Sequence, residues 1–341
     1  MMNESDKNKA FLITGAAGFV GYYLSKRLLE DGYRIVGIDN LNDYYDVRLK
    51  EYRNDKLKEF GNYTFEYCDI SQKEDITALF KKYQPTYVIN LAAQAGVRYS
   101  IDHPDVYIQN NIVGLYNIVE ACRHSKNLEH FLFASSSSVY GTNDKVPFEE
   151  SDFVDHPVSL YAATKKSNEL VAYTYSHLYN IPTTGLRFFT VYGPMGRPDM
   201  AYFSFLNNYF MQKPIHIFNN GDFHNDLYRD FTYIDDIVEG ICRIIDKKPE
   251  GKNPYQLFNI GGSQPVKLMA FIYTLENCLS NSLGRKVEFE KVFEPMKPGD
   301  VPKTYASTKK LEERIHFKPT IPIQEGLQKF TDWYVEYYNK K

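Results

Sequence analysis

Through its first half the chain alternates short apolar runs with longer stretches in which apolar residues recur every three or four positions. Ala10–Thr14, Arg34–Ile38, Thr64–Tyr67, Tyr87–Leu91 and His130–Ser135 read as strands, and Val20–Glu30, Lys73–Tyr83, Val106–His124 and Leu160–Tyr179 as helices. The strand runs are nearly continuous in apolar residues, as a parallel sheet covered by helices on both faces demands. Such alternation predicts a doubly wound α/β domain built on a parallel sheet. After Arg187 the rhythm changes. Pro and Gly punctuate Gly193–Pro198, Lys213–Gly221 and Glu294–Pro302, strand runs become sparse, and a smaller, looped α/β domain is expected. Thr232–Ile245 still reads as a helix and Gln256–Ile260 as a strand, both returning to the main sheet, and Ile323–Tyr338 reads as a closing amphipathic helix. The expected division is residues 1–190 plus about 230–262 for the large domain, and about 191–229 with 263–341 for the small one.

Composition narrows the function classes. With 341 residues there is room for a substantial core. A net charge of −3 with interspersed signs leaves no basic footprint for nucleic acid, and the mixed charges from Arg48 to Lys58 read as a solvated surface. Cys68, Cys122, Cys242 and Cys278 lie far apart, each in or beside an apolar segment, so buried free thiols are expected rather than disulfides or a metal site. Met1 to Lys9 is polar and runs straight into the first strand, unlike a signal peptide. No apolar stretch approaches the length of a membrane helix. A cytoplasmic protein that binds neither nucleic acid nor membrane is expected.

The first strand runs into Thr14-Gly15-Ala16-Ala17-Gly18-Phe19-Val20-Gly21, a G-x-x-G-x-x-G sequence that opens a helix. Glycines let the backbone approach a pyrophosphate, and the helix N-terminus offers free N–H groups and positive potential. Position after a strand and before an amphipathic helix favours this dinucleotide reading over an ordinary turn. Asp39 ends the second strand, where an acid accepts both ribose hydroxyls and repels a 2′-phosphate, so NAD is expected over NADP. Asp69 and Ile70, after the third strand, are expected to flank the adenine, and Leu91, Ala92 and Ala93, after the fourth, supply small residues close to the cofactor. Together these features predict a Rossmann domain. Asn40, Asn42, Gln94, Asn110, Ser135 and Phe188 complete the expected cofactor contacts.

Tyr161-Ala162-Ala163-Thr164-Lys165 opens the Leu160–Tyr179 helix, and i, i+4 spacing puts phenol and ammonium on one face. A free tyrosine titrates near ~10, too high for a base at neutral pH. A neighbouring Lys165 ammonium and a positive nicotinamide ring both favour phenolate, which is expected to tune Tyr161 toward useful basicity. Upstream, Ala134-Ser135-Ser136-Ser137-Ser138-Val139-Tyr140-Gly141 ends the fifth strand, and a serine there can hydrogen-bond the reacting hydroxyl. Alone, Tyr-x-x-x-Lys is usually structural; with the serine-rich strand end and the glycine turn it reads as catalytic.

This constellation resembles the extended short-chain dehydrogenase/reductase family of sugar-nucleotide epimerases and dehydratases, from Phe11 to about Trp333. The resemblance implies Tyr161 as base, Lys165 as ribose ligand, and Ser136, counted back from Val139-Tyr140-Gly141, as the assisting hydroxyl. It also implies a smaller substrate-binding domain and a homodimer joined through Val106–His124 and Leu160–Tyr179. Similar dehydratases and decarboxylases carry an acid just before Val-Tyr-Gly, whereas Ser137 and Ser138 stand there in this chain. That absence points to plain epimerisation, with hydride leaving carbon 4 for NAD and returning to the other face of a 4-keto sugar. Leu186–Ala201, Ala95–Ser100, Arg229–Asp236 and Pro298–Val301 resemble UDP-glucuronate 4-epimerases. Thr190, Arg197, Ser137 and Ser138 are expected at the sugar carboxylate, and Arg98 and Arg229 at the pyrophosphate. For each arginine the alternative is a surface or domain-bridging salt bridge. Asp300 either binds the nucleotide ribose or only shapes its Pro/Gly turn. Lys297 stands where related epimerases often have Arg or Gln; it neutralises phosphate but lacks the bidentate fork. UDP-N-acetylglucosamine and UDP-glucose epimerisation, UDP-glucuronate decarboxylation and non-enzymatic NAD sensing are the competing readings.

Overall fold

The computed structural model describes residues 9–219, 221, 227–296 and 303–339. The chain opens with β1 (Ala10–Thr14), α1 (Phe19–Glu30), β2 (Arg34–Asp39), α2 (Val47–Lys58), β3 (Tyr63–Tyr67), α3 (Lys73–Tyr83) and β4 (Tyr87–Asn90). Next come the short helices α4 (Tyr99–Asp102) and α5 (Pro104–Tyr107), a π-helical stretch at Ile108–Val113, α6 (Gly114–His124), β5 (His130–Ser136) and α7 (Leu160–Tyr179). The second half contains β6 (Thr183–Phe188), β7 (Thr190–Tyr192), α8 (Ala201–Phe210), β8 (Ile215–Ile217), β9 (Tyr228–Tyr233), α9 (Ile234–Ile245) and β10 (Tyr255–Ile260). It ends with β11 (Pro265–Lys267), α10 (Leu268–Leu283), β12 (Lys291–Phe293), α11 (Lys309–Ile315) and α12 (Ile323–Tyr337).

Seven strands form one sheet in the order β10-β6-β5-β4-β1-β2-β3, every pairing parallel. The chain works outward from β1 to one edge, then returns to β4 on its other side. At that reversal the loops leaving β1 and β4 diverge and open a crevice at the carboxyl ends of the strands. The apolar character of β1 and β4 follows from burial at every position. On one face α1 and α9 pack through Leu24, Leu28, Ile237 and Ile241. On the other, α3, α6 and α7 pack through Ile76, Leu79, Ile118, Val119 and Ala172. The doubly wound Rossmann sheet expected from the strand–helix rhythm is present.

Two expectations needed correction. The helix expected from Thr232 begins at Ile234, because Thr232 and Tyr233 finish β9, which pairs with β7 and β11 in a separate three-stranded sheet. The helix expected over Val106–His124 is helical throughout but is not regular, because it passes through a π-helical stretch at Ile108–Val113. Strands after Arg187 are also more numerous than the pattern suggested. β7, β8, β11 and β12 have three residues each, too few to display a period. Among the described residues no helix is long and apolar enough to cross a membrane.

Candidate active site

Gly15 leaves β1 in the left-handed region (φ +70°), and its N–H donates to the Ile38 carbonyl of β2 at 2.8 Å. A Cβ there would stand 2.9 Å from the backbone nitrogen of Ala92, so glycine is what lets the β1 and β4 loops come together. No side chain caps α1, which begins behind Gly18, leaving its first N–H groups and positive potential for a ligand. At the end of β2 the Asp39 carboxylate accepts from the N–H groups of Ala17 (3.1 Å) and Leu41 (2.9 Å). Burial raises its pKa, opposed by those two N–H groups and by the cations of Lys50 and Arg53. Lys50 Nζ donates to the main-chain and side-chain oxygens of Asn42 at 2.6 and 2.7 Å, fixing the loop that Asp39 starts. A close glycine turn, an uncapped helix start and a strand-end acid fit a dinucleotide, with pyrophosphate at α1 and ribose at Asp39.

Gly15, Gly18, Phe19, Val20, Gly21, Asp39, Asn40 and Asn42 line one cleft, together with Ile70, Leu91, Ala92, Ala93, Gln94, Asn110, Ser135 and Phe188. Asp69 is not in its wall. Its carboxylate instead accepts from Asn40 Nδ2 (2.9 Å) and the Ser71 N–H (2.8 Å), so it braces Asn40 from behind.

Tyr161 and Lys165 also line this cleft. They sit in the first two turns of α7, whose start is capped by Ser159 accepting from the Ala162 N–H at 3.1 Å. Tyr161 packs edge-on against Tyr107, ring centroids 6.1 Å apart. Lys165 Nζ donates to the Ala134 carbonyl on β5 at 3.0 Å. Burial pulls the Lys165 pKa down to about 8, and Arg197 acts in the same direction. Burial raises the Tyr161 pKa, the Ser136 hydroxyl and the Arg197 guanidinium lower it, and Asp199 raises it. Arg197 thus joins Tyr161 and Lys165 as a further cation at the cleft, one that the Tyr161–Lys165 spacing gave no sign of.

A second cavity, of about 690 Å³, adjoins the first and is large enough for a small-molecule ligand. Arg98, Ser136, Ser137, Ser138, Thr190, Arg197 and Arg229 all line it. Tyr161, Ser136 and Arg197 belong to both walls, so the two spaces meet at the tyrosine. Ser136 Oγ donates to Ser138 Oγ at 3.1 Å and accepts from the Ser138 N–H at 3.2 Å. Arg98 lies over the Phe218 ring at 4.3 Å. Arg197 forks onto Asp199, with Nε to Oδ1 at 3.0 Å and Nη2 to Oδ2 at 2.6 Å. Lys297 and Asp300 lie outside the described residues.

Residues 12–330 match the family described as GDP-mannose 4,6 dehydratase. The chain belongs to this family. It is 51% identical to protein CapI of Staphylococcus aureus, over 96% of this chain and 99% of that one. It is 42% identical to a probable UDP-glucuronate 4-epimerase of Rhizobium meliloti strain 1021, over 97% of this chain and 98% of that one. Among solved structures, a UDP-glucuronic acid 4-epimerase from Bacillus cereus in complex with UDP-glucuronic acid and NAD is similar at a TM-score of 0.85. The two are 33% identical, and the match covers 96% of this chain and 100% of that one.

In this member of the GDP-mannose 4,6 dehydratase family several supporting residues escaped the motifs. Asn111, in the π-helical turn, joins the β4 loop to α7. Its side chain accepts from the Gln94 N–H (2.7 Å) and donates to the Gln94 carbonyl (3.0 Å) and the Thr164 hydroxyl (3.0 Å). Below the serines, Arg187 of β6 grips Glu169 of α7 with bonds of 2.8 and 2.9 Å, and Glu169 also accepts from Ser135 Oγ at 2.6 Å. Arg53 reaches from α2 to the carbonyls of Ala17 (3.0 Å) and Gly196 (3.1 Å), tying the glycine turn to the loop before Arg197. Their partners are distant in sequence, so no local spacing marked them.

Proposed function

We propose that this chain is a UDP-glucuronate 4-epimerase, interconverting UDP-glucuronate and UDP-galacturonate with NAD in the Gly15 cleft. The observation that carries the reading is the placement of Tyr161, Ser136 and Arg197 on the wall shared by the two cavities. Carbon 4 of a sugar must lie beside both the cofactor and the base, which puts the neighbouring carbon-5 carboxylate within the domain of a cation on that wall. The Ser135–Ser138 motif carries no acid for a further elimination or for handling a β-keto acid. Support also comes from the Bacillus cereus neighbour, named a UDP-glucuronic acid 4-epimerase and solved with that nucleotide sugar and NAD.

Bound NAD would supply a reversible hydride acceptor at carbon 4. Tyr161 takes the proton of the 4-hydroxyl and returns it after the 4-keto sugar has turned, while Ser136 donates a hydrogen bond to the same oxygen. Lys165 holds the nicotinamide ribose. Arg197, Thr190, Ser137 and Ser138 receive the carboxylate, and Arg98 and Arg229 neutralise the diphosphate.

Incubation with UDP-glucuronate, UDP-glucose and UDP-N-acetylglucosamine separately, with at most catalytic NAD, tests this. UDP-galacturonate from the first is expected; stoichiometric NADH, or carbon dioxide with a UDP-pentose, overturns the reading. Tyr161→Phe is expected to lower kcat by roughly 100- to 10,000-fold while UDP affinity stays within about twofold.

A homodimer joined through α6 and α7 belongs to the same reading. In a single chain Leu170 and Leu178 of α7 are 56% and 60% exposed, with Tyr173 and Tyr116 also exposed, a pattern that favours cover by a second copy. A monomer in sedimentation velocity at micromolar concentration would exclude it. Free thiols at Cys68, Cys122, Cys242 and Cys278 support a reducing, cytoplasmic setting, which fractionation of the source cells would check.

A further inference from the structure

We propose that Asp199 is the resting counter-ion of Arg197, held in reserve by Tyr44, and that a sugar carboxylate takes its place on the guanidinium when substrate enters. The inference rests on the reading of the site as one for UDP-glucuronate. Arg197 and Asp199 are two residues apart and half-buried, 27% and 28% exposed, and joined by both arms of the fork. Arg197 borders both cavities, whereas Asp199 lines only the second. The pair therefore stands where a carboxylate on the sugar would have to be received, with that position on the fork already taken by a carboxylate of the chain.

The surroundings leave the side chain of Arg197 as the element free to change partners. The main chain of its turn is pinned by Arg53, whose Nε donates to the Met195 carbonyl (3.2 Å) and whose Nη2 donates to that of Gly196 (3.1 Å). Tyr23 adds a bond from its hydroxyl to the Pro194 carbonyl at 3.1 Å. Asp199 has a second donor in the Tyr44 hydroxyl, at 3.1 Å. Tyr44 is itself fixed, edge-on to Tyr99 with centroids 4.8 Å apart and with its hydroxyl over Gly96, where any Cβ would stand 2.5 Å from it. When Arg197 turns to the ligand, Asp199 keeps this phenol and is not left bare.

Exchange of one carboxylate for another conserves the charge around a half-buried guanidinium, whereas a neutral hydroxymethyl group offers nothing to exchange for. Asp199 is thus an internal competitor. It lowers affinity for a uronate and has no comparable effect on a neutral sugar, while Tyr44 favours the exchanged state.

Calorimetric Kd values for UDP-glucuronate and UDP-glucose, on the NAD-loaded full chain carrying Tyr161→Phe to halt turnover, test this. Adding Asp199→Asn is expected to tighten UDP-glucuronate by roughly five- to tenfold, and adding Tyr44→Phe to weaken it by roughly three- to tenfold. UDP-glucose should stay within about twofold in both. The inference is overturned if the two ligands shift together, or if UDP-glucuronate does not tighten in Asp199→Asn. Should that variant fail to fold, the Tyr44→Phe result decides, and an unchanged UDP-glucuronate Kd there overturns the inference. Failure of the underlying reading looks different: a wild-type chain that converts no UDP-glucuronate at all.

Discussion

Arg53 is completely buried, and its guanidinium is satisfied by the carbonyls of Ala17, Met195 and Gly196 and by the Tyr45 hydroxyl. Removing such a group strands several carbonyl oxygens at once, and each buried acceptor left without a donor costs free energy. Arg53→Gln is expected to destabilise the fold by about 3 kcal/mol in urea unfolding, with Arg53→Lys recovering part of it. Because the same side chain spans the glycine turn and the loop before Arg197, NAD retention should fall along with stability. Asp39 shows the complementary case of an acid that two backbone donors hold in the wall of the first cleft. Its place in the cleft was legible because strand ends are places where a single polar residue stands out. Asp69 gave the same local signal, and its carboxylate likewise accepts two hydrogen bonds, from Asn40 and Ser71, while its neighbour Ile70 lines the cleft.

Among the elements, the turn between β1 and α1 shows most directly how local sequence creates a site. Gly15 needs both a positive φ and clearance from Ala92, so a methyl group at this position is opposed twice. Gly15→Ala is expected to part the β1 and β4 loops and to weaken NAD binding at least tenfold, read by fluorescence titration; unchanged NAD affinity would show that the turn tolerates the strain. Most strands and helices of the first half were visible in the hydrophobic pattern because their periods extend over enough residues. But α2, read as a solvated charged run although Lys50 and Arg53 are buried in it, and β6, α8 and α10 were not picked out. The three-residue strands β7, β8, β11 and β12 were also missed, and the end of β9 was absorbed into the reading of α9. The π-helical turn in Ile108–Val113 likewise has no hydrophobic signature; it is visible only through where Asn110 and Asn111 end up.

At the scale of the molecule, the seven-stranded sheet encloses His130 between the Ile245 carbonyl (3.1 Å from Nδ1) and the Thr184 hydroxyl (2.7 Å from Nε2). Burial pushes its pKa down to about 4. An unfolded histidine protonates near ~6.5, so on acidification through the interval between these values the unfolded chain binds a proton that the folded one refuses. Stability from this group is therefore complete above the unfolded value and is lost progressively as pH falls toward the folded one, by up to about 3 kcal/mol. Urea unfolding at pH 4.5 and 7 should show a smaller difference for His130→Gln than for wild type. An equal difference would mean that the buried ring does not set the acid sensitivity.

The glycine turn, Asp39, the serine strand end and the Tyr161–Lys165 pair were readable from the chain alone, because each depends on spacing within one turn or one strand end. The same holds for the parallel sheet, whose strands advertise burial on both faces. What the tertiary structure decided is which of these groups act on one another. The Ser136 hydroxyl and Arg197 oppose the burial that raises the Tyr161 pKa, Tyr44 meets Asp199 across 155 positions of sequence, and Arg53 meets Met195 across 142. Coulombic and hydrogen-bond contacts act through space and no periodicity along the chain encodes them; they exist only once the sheet has brought distant loops to one edge.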